Sequence, residues 1–260
     1  MEQITKIVQQ IGNGGHIYLP KETIGKKVVI SLKEKSVEEI QEEIIDMLKP
    51  YLKDIQGVYL HGSYARNEQT PKSDIDILVI TNKKIKKRIN EYEIISVTEK
   101  QIENTIKNNA VLILPMIREA KAVMNQQLIE KYKKEKLNKR NTRWYIESTE
   151  TSLGVSGEAI KEKDKSLIPS IVYPLIMRLR GLHLIVCLIY NRKYSNEQVN
   201  HYLMKELSSY KVKELNTIYR EHRDEKSISL HSIDYSDISK VYELTKKYLN
   251  EVKRLWAKLK

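Results

Sequence analysis

Two aspartates stand two positions apart at the start of a strongly apolar segment, and this spacing suggests metal chemistry. Asp74 and Asp76 flank Ile75, and residues 75–80 form the nearly continuous apolar run typical of a strand buried on both faces. Residues two apart on a strand point to the same face, so the two carboxylates lie side by side. Such carboxylates repel each other and are costly to bury. A divalent cation would offset that cost, and magnesium prefers oxygen ligands of this kind.

A glycine–serine pair upstream adds groups that suit a phosphate. Gly62 and Ser63 follow a predicted strand at 57–60, and ten residues separate them from Asp74. Glycine lets the backbone approach a phosphate closely, and N–H groups with a hydroxyl can bind its oxygens. Arg66, about one helical turn further on, is within reach of the same phosphates. Phosphate-binding groups beside a carboxylate pair are typical of two-metal phosphoryl or nucleotidyl transfer. The alternatives are that the aspartates lie on an exposed strand edge, or that they are two surface caps.

This pattern resembles the minimal nucleotidyltransferases of the DNA polymerase β superfamily, over about residues 37–124. That superfamily includes antibiotic nucleotidyltransferases and the antitoxin partners of HEPN toxins. The resemblance implies a mixed sheet that carries the carboxylates, with helices covering one side. It implies that Gly62 and Ser63 contact the triphosphate of an NTP and that Asp74 and Asp76 bind two magnesium ions. An acceptor hydroxyl would then attack the α-phosphate and release pyrophosphate.

The same resemblance implies a third carboxylate on a later strand, as a metal ligand or a base. Glu93, in the predicted strand 92–97, is the best match, and Glu91 is the alternative. This sequence departs from the family in having Glu rather than the commoner Asp. The link from Asp76 is also short for the family. A solvated residue at a strand start is the competing interpretation of Glu93.

The fold that must position these residues is α+β, followed by a helical bundle. Residues 34–124 alternate helix and strand and predict a small mixed sheet. A capping box at Ser36 and Glu39 marks the first helix. Residues 125–260 have the apolar periodicity of helices throughout, and a second capping box is predicted at Ser195 and Gln198. The helices are predicted at 37–55, 99–106, 112–122, 126–137, 142–161, 170–190, 196–207, 212–223 and 238–259.

Residues 1–33 form a separate strand-like element that resembles an AbrB-type swapped hairpin. The turn cluster 12–15 lies between an apolar-rich segment at 4–9 and a predicted strand at 16–19, and a further strand is predicted at 27–32. The resemblance implies a homodimer formed by strand exchange, and in some cases DNA binding. A hairpin that packs on the catalytic domain is the alternative. Basic residues permit phosphate contacts here: Lys6, Lys21, Lys26 and Lys27.

Several basic residues of the helical region are candidates for an acceptor pocket. Arg178 and His183 have the spacing of the HEPN ribonuclease signature, but five residues apart on one helix they point about 140° away from each other. A weaker hypothesis is that bundle residues line an acceptor cleft, the candidates being Arg178, Arg180, His183, Arg220, His222 and Arg223. The basic run 131–143 suits nucleic acid, although such a run is more often a solvated face.

The amino-acid composition and net charge of the chain limit the kinds of partner and the cellular location that can be expected. The formal net charge is +12, which favours polyanionic partners such as nucleotides or RNA. The chain has a single cysteine, Cys187, which excludes an internal disulfide framework. Cys187 lies in an apolar segment and is predicted to be a buried apolar residue. The N-terminal residues show no signal peptide pattern, and residues 171–190 are interrupted by charges, so no membrane partner and a cytoplasmic location are expected.

Two hypotheses follow. The first is a magnesium-dependent nucleotidyltransferase that moves an NMP, AMP from ATP, to a hydroxyl of a protein or RNA acceptor, as an antitoxin-like modifier would. The second is a catalytically degenerate nucleotidyltransferase-fold regulator that dimerises and binds DNA through residues 1–33. Intact Asp74 and Asp76 favour the first.

Overall fold

The computed structural model divides the chain into two compact units, Met1–Ile40 and Gln41–Lys260. The structure describes residues 4, 6, 8–12, 14–30, 35–70, 73–83, 85–86, 88–225 and 232–259.

The first unit contains a two-stranded hairpin around the predicted turn cluster. Strand β1, Gln9–Ile11, pairs antiparallel with β2, Gly14–His16. The strand predicted at 16–19 was wrong in position, because the hairpin closes tightly and pairing ends at His16. A short 3₁₀ turn follows at Lys21–Thr23. Residues 27–30 are not a strand, and the remainder of the strand predicted at 27–32 lies outside the described residues.

A five-stranded mixed sheet forms the centre of the second unit, which confirms the α+β fold class. Its strand order is β5-β6-β4-β3-β7. Strand β3 pairs antiparallel with both β4 and β7, β4 pairs parallel with β6, and β5 pairs antiparallel with β6. The strands are β3 Ile55–His61, β4 Ile75–Thr81, β5 Arg88–Ile89, β6 Tyr92–Val97 and β7 Lys121–Met124. Central strand β4 is buried from Ile77 to Thr81, as its continuous apolar run predicts.

Five helices accompany the sheet. They are α1 Val37–Leu48, α2 Gly62–Arg66, α3 Glu99–Asn109, α4 Leu114–Glu119 and α5 Gln126–Lys133. The capping box predicted at Ser36 and Glu39 is confirmed, since Glu39 N–H donates to the Ser36 hydroxyl and Ser36 N–H donates to the Glu39 carboxylate. Pro50 lies at the start of the 3₁₀ segment Lys49–Asp54, so α1 ends earlier than the predicted 37–55.

The segment predicted as one helix at 112–122 is the main error of the sequence prediction. The chain instead forms a 3₁₀ turn at Ala110–Leu112, then α4, and then the edge strand β7. Strand β7 is only four residues long, and its pairing with Val58–Leu60 of β3 supplies its hydrogen bonds. Such a short apolar run has no local signal that separates strand from helix, so the tertiary pairing decides.

The bundle consists of α6 Lys139–Glu162, α7 Ile168–Ile189, α8 Asn196–Leu203, α9 Ser209–Arg223 and α10 Tyr235–Trp256. Helices α5 and α8 end four residues before the predicted limits of 137 and 207. The predicted Ser195–Gln198 capping box is wrong, because the Ser195 hydroxyl accepts from Glu197 N–H and the Gln198 amide oxygen contacts His183.

Helix α7 is the central helix of this bundle. By length and composition it is apolar enough to cross a membrane, and it is the one such helix in the described part of the chain. Its apolar residues from Ile171 to Ile185 nevertheless lie in a core shared with α6, α9 and α10. Cys187, near the end of α7, is buried as predicted. The packing of the bundle therefore accounts for the apolar character of α7.

Candidate active site

The sheet brings the predicted site residues to one of its ends. His61, the last residue of β3, is paired with Asp76 near the start of β4. Asp76 is in turn paired with Glu93 near the start of β6. Directly paired residues of neighbouring strands point to the same face, so Asp76 has a carboxylate beside it on the next strand. Glu91 precedes β6 and contributes its backbone carbonyl to Ile75 N–H.

The turn after β3 requires glycine. Gly62 has φ +72°, a conformation that residues with a side chain rarely adopt. A Cβ atom built at Gly62 would overlap the carboxylate of Asp76. The backbone of the Gly62–Ser63 turn therefore lies against the second aspartate, which joins the two halves of the motif in space.

Asp76 carries the clearest electrostatic signature of the site. Burial, followed by the charges of Glu93 and Asp74, raises the pKa of Asp76 from 3.8 to about 6. The charge of Glu119 adds to the increase, and the charge of Arg66 opposes it. A carboxyl group surrounded by charges of its own sign is a favourable place for a cation.

Asp74 is held by a residue that the sequence did not single out. The guanidinium of Arg88, on β5, donates to the Asp74 carboxylate at 2.5 Å. The Arg88 side chain is 60% exposed and that of Asp74 is 34% exposed, so water screens this pair. Arg88 also pairs with Glu93 across β5 and β6. Its place beside both acids follows from the edge strand β5, which was not predicted.

Glu119, at the end of α4, was also missed by the sequence prediction. Its carboxylate accepts the Gly62 N–H at 2.8 Å and a guanidinium N–H of Arg66 at 2.7 Å. Burial raises the pKa of Glu119, and the charge of Arg66 counteracts this effect. Because the sequence predicts one helix at 112–122, nothing in its pattern indicated that Glu119 would contact the Gly62 turn.

His61 is a further residue of the site that the sequence pattern did not indicate. It is buried, and its Nε2 atom has no hydrogen-bond partner among the described residues. Burial, together with the charge of Arg66, lowers the pKa of His61 from 6.5 to about 4. His61 is therefore neutral at pH 7 and adds no charge beside Asp76.

The bundle reaches the site through Arg66. The Arg66 guanidinium lies 5.7 Å from the centre of the Tyr194 ring, within range of a cation–π contact. It also donates through Nε to Glu68 at 3.0 Å. Arg66 is thus held by two carboxylates and by an aromatic ring from the segment between α7 and α8.

Some of the basic residues predicted for an acceptor cleft lie near this end of the sheet. The hydrogen bond to Asp224 raises the pKa of Arg223, and the charge of Asp74 adds a smaller contribution. Burial raises the pKa of the Tyr194 hydroxyl to about 12, and the charge of Arg180 opposes this increase. Arg180 lies over the Tyr219 ring at 4.3 Å, and that ring stacks on Tyr173 at 5.3 Å between centroids. Arg223 is therefore within electrostatic range of Asp74, and Arg180, Tyr219 and Tyr173 form a contiguous cluster on the bundle.

Arg178 and His183 lie against different helices. Arg178 donates to the Ser148 hydroxyl at 3.1 Å, on α6. The His183 ring is hydrogen-bonded to the Tyr248 hydroxyl at 2.8 Å, on α10, and to Gln198 at 2.9 Å, on α8. The predicted divergence of the two side chains is consistent with these separate partners.

The donor chemistry of the site suits magnesium. Across the portion of the chain that the structure describes, no three His, Cys, Asp or Glu side chains converge on a single point. Magnesium needs only one or two carboxylates when substrate phosphates and water complete its shell. The oxygen-only pair Asp74 and Asp76, with the raised pKa of Asp76, meets that requirement.

Comparison with known proteins agrees with this geometry. Residues 42–138 match the family described as "Polymerase beta, Nucleotidyltransferase". The chain carries a nucleotidyltransferase domain. The match covers all the strands of the sheet, both aspartates and Glu119. The family match therefore applies to residues 42–138 and not to the chain as a whole.

A relative in Methanocaldococcus jannaschii bears the name "Putative protein adenylyltransferase" and is 50% identical over 48 residues. These residues are 17% of this chain and 48% of the relative, so the chain spans about half the length of the relative it matches.

Two solved structures resemble the chain weakly. A nucleotidyltransferase-like protein from Exiguobacterium sibiricum has a TM-score of 0.36 at 13% identity, covering 83% of this chain and 75% of its own. A spectinomycin adenyltransferase from Enterococcus faecialis, solved with ATP and spectinomycin, has a TM-score of 0.40 at 13% identity, covering 84% and 100%. Similarities at this level do not bear on how the nucleotidyltransferase domain works.

Proposed function

We propose that the protein transfers an NMP, AMP from ATP, to a hydroxyl group of a protein or RNA acceptor. The observation that carries this proposal is the position of the Asp76 carboxyl, which lies against the Gly62 turn and is paired across the sheet with Glu93. The name of the M. jannaschii relative favours AMP and a protein acceptor. An acceptor that is a toxin would make the protein antitoxin-like.

Each residue of the site has a distinct part in this proposal. Asp74 and Asp76 would hold two magnesium ions, which would neutralise phosphate charge and lower the pKa of the attacking hydroxyl. Glu93 would take the proton from that hydroxyl, or would join the metal shell once bound ions and phosphates draw its carboxylate towards Asp74 and Asp76. The triphosphate would be bound by Gly62, Ser63 and Arg66.

The acceptor would enter from the bundle side. Tyr194 contacts Arg66 and is within electrostatic range of Arg180, and Arg223 is within electrostatic range of Asp74. An acceptor hydroxyl delivered there would face the carboxylate pair, while the arginines would offset negative charge on the substrates.

The test is calorimetric titration of each NTP, with magnesium, into the wild type and an Asp74→Ala/Asp76→Ala variant. The control is Asp46→Ala, which removes an exposed aspartate that is paired only locally with Lys49. Magnesium-dependent binding that only the double variant loses supports the proposal. Transfer of α-labelled phosphate to a cellular acceptor would then identify the substrate. Failure of the folded wild type to bind any NTP contradicts it.

A second proposal concerns the N-terminal unit: that it forms a homodimer through exchanged strands. Large apolar residues of the N-terminal unit are exposed, and this exposure favours a homodimer: Val29 is 98% exposed and Ile24 is 77% exposed. A two-stranded hairpin is at best marginally stable alone, so a second copy would supply the missing partner. Contact with DNA through this element is the regulator alternative, in which catalysis is absent.

The dimer is tested by sedimentation equilibrium of the wild type and Val29→Asp. The proposal expects a dimer that Val29→Asp dissociates, with Val155→Asp as the control on an exposed face of the bundle. A monomeric wild type at all concentrations would contradict it. Fluorescence anisotropy with labelled DNA addresses the regulator alternative, and DNA binding without NTP binding would favour it.

A further inference from the structure

One acidic side chain already occupies the donors that a triphosphate would need. The carboxylate of Glu119 accepts from Gly62 N–H at 2.8 Å through one oxygen, and from Arg66 at 2.7 Å through the other. Its side chain is 18% exposed and that of Arg66 is 19% exposed, so the pair is largely shielded from water. The contact joins the end of α4 to the glycine turn, 57 residues earlier in the chain.

Carboxylate and phosphate oxygens accept the same charge-assisted hydrogen bonds. Gly62 N–H has one hydrogen, so it cannot serve Glu119 and a phosphate oxygen together in good geometry. A negative charge left in place would also repel an incoming triphosphate. The two anions therefore exclude each other at these donors.

We propose that Glu119 sets the affinity of the site for nucleotide, because its carboxylate occupies the triphosphate-binding donors and must leave them before the phosphates bind. This inference rests on the proposed function, in which Gly62 and Arg66 hold the triphosphate. Glu119 is thus a positioning residue that keeps the turn and Arg66 ordered in the nucleotide-free protein.

A purely structural Glu119 would have the opposite consequence for binding, since its loss would loosen Arg66 and weaken the site. The sign of the change in affinity therefore separates the two roles.

The experiment measures binding of tripolyphosphate and of ATP, each with magnesium, by calorimetry at fixed pH and ionic strength. Glu119→Gln keeps the size of the side chain but removes its charge and replaces one of the two accepting oxygens with an NH2 donor. Glu68→Gln is the matched control, because Glu68 accepts from Arg66 at 3.0 Å through the guanidinium Nε. Glu119→Gln is expected to bind both probes about tenfold more tightly than the wild type, and Glu68→Gln to change affinity by less than about threefold.

Unchanged or weaker binding by folded Glu119→Gln overturns the inference, as does an equal gain in Glu68→Gln. Circular dichroism and thermal melting establish folding. If Glu119→Gln does not fold, Glu119→Asp replaces it, since its shorter side chain cannot reach both donors, and the same gain is required. If nucleotide binding requires Asp74 and Asp76 but does not change when Glu119 is substituted, this inference is wrong and the proposed function still holds. No binding of either probe by any variant defeats the proposed function as well.

Discussion

At the scale of single residues, the carboxyl group of Asp76 determines how the site responds to pH. Its pKa in the folded protein, about 6, lies above the value of 3.8 for an unperturbed aspartate. The folded state therefore holds the Asp76 proton more tightly than the unfolded state does. Ionised Asp76 lowers the free energy of unfolding above about pH 6, and that loss disappears when the pH falls below 3.8.

Asp76→Asn is accordingly expected to stabilise the protein at pH 8 in the absence of divalent cations. A shift from 3.8 to about 6 corresponds to about 3 kcal/mol in the free energy of unfolding. The gain should fade between pH 6 and pH 4, because the folded wild type takes up the Asp76 proton in this range while the unfolded chain stays ionised until about pH 4. Urea denaturation across this range, with EDTA present, measures it. Asp46→Asn on the exposed face of α1 should show no such gain, and a gain independent of pH in Asp76→Asn would contradict the assignment.

Gly62→Ala is expected to damage both the fold and nucleotide binding. The methyl group would meet the Asp76 carboxylate, and the left-handed backbone alone costs about 1–2 kcal/mol for alanine. The free energy of unfolding should fall by about 2 kcal/mol or more, and calorimetry should detect no NTP binding. Gly154→Ala is the control. No neighbouring atom lies within 4 Å of a Cβ there, so this change within α6 should stabilise by up to about 1 kcal/mol.

The site residues that could be predicted from the sequence are those whose spacing along the chain is typical of a metal and phosphate site. Asp74, Asp76, Gly62 and Ser63 form a local pattern, and the parallel pairing of β4 with β6 brings Glu93 to Asp76. Arg88 and Glu119 were not predictable in this way. Each reaches the site through a long-range arrangement, an edge strand for Arg88 and the end of α4 for Glu119, and no local periodicity encodes either.

At the scale of elements, one asparagine organises the junction of β7, α5 and β3. Asn125 has φ +63°, and its side chain accepts Leu128 N–H at 3.2 Å as the N-cap of α5. The same side chain donates to the Gln56 carbonyl at 2.8 Å. Its backbone carbonyl accepts the Tyr59 hydroxyl at 3.0 Å. The short strand β7, which sequence periodicity could not identify, is anchored at its end by this residue.

Asn125→Ala is therefore expected to lower the free energy of unfolding by about 2–3 kcal/mol, through loss of the cap and of the bond to Gln56. Asn125→Asp keeps the capping acceptor and loses only the amide donor, so it should cost about half as much. Chemical denaturation of the three proteins gives the order. Equal losses in the two variants would show that the cap contributes nothing.

At the scale of the whole molecule, the apolar core runs past position 124, where the sequence places a domain boundary. Ile129 and Tyr132 of α5 belong to the buried cluster of the sheet, with Leu188 of α7 packed against it. Val111 belongs to the cluster of the bundle. The predicted ranges 34–124 and 125–260 remain predictions, but helical residues beyond 124 bury part of the sheet.

A fragment of residues 41–124 is thus expected to lack a cooperative thermal transition, because it exposes the apolar surface that α5 and α7 cover. The fragment 41–260 should melt cooperatively. Differential scanning calorimetry of both makes the comparison. A cooperative transition in the shorter fragment, at a temperature near that of the longer one, would contradict the shared core.

The general architecture was predictable, since apolar periodicity separates a mixed sheet from a helical region. The helix ends were less so. Helices α5 and α8 stop before the apolar pattern does, because the chain must turn to pack the next helix. Sequence patterns indicate what can be buried, whereas the packed molecule decides where an element ends.

Asparagines in left-handed turns connect parts of the chain that are far apart in sequence. Asn67, with φ 59°, accepts from Lys121, and Asn191, with φ 51°, accepts from Arg118. The Asn125 side chain instead donates to the carbonyl of Gln56. Glycine would supply the backbone conformation but not these bonds. A turn of this kind is complete only when a distant segment has arrived, so these turns would form late in folding rather than nucleate it.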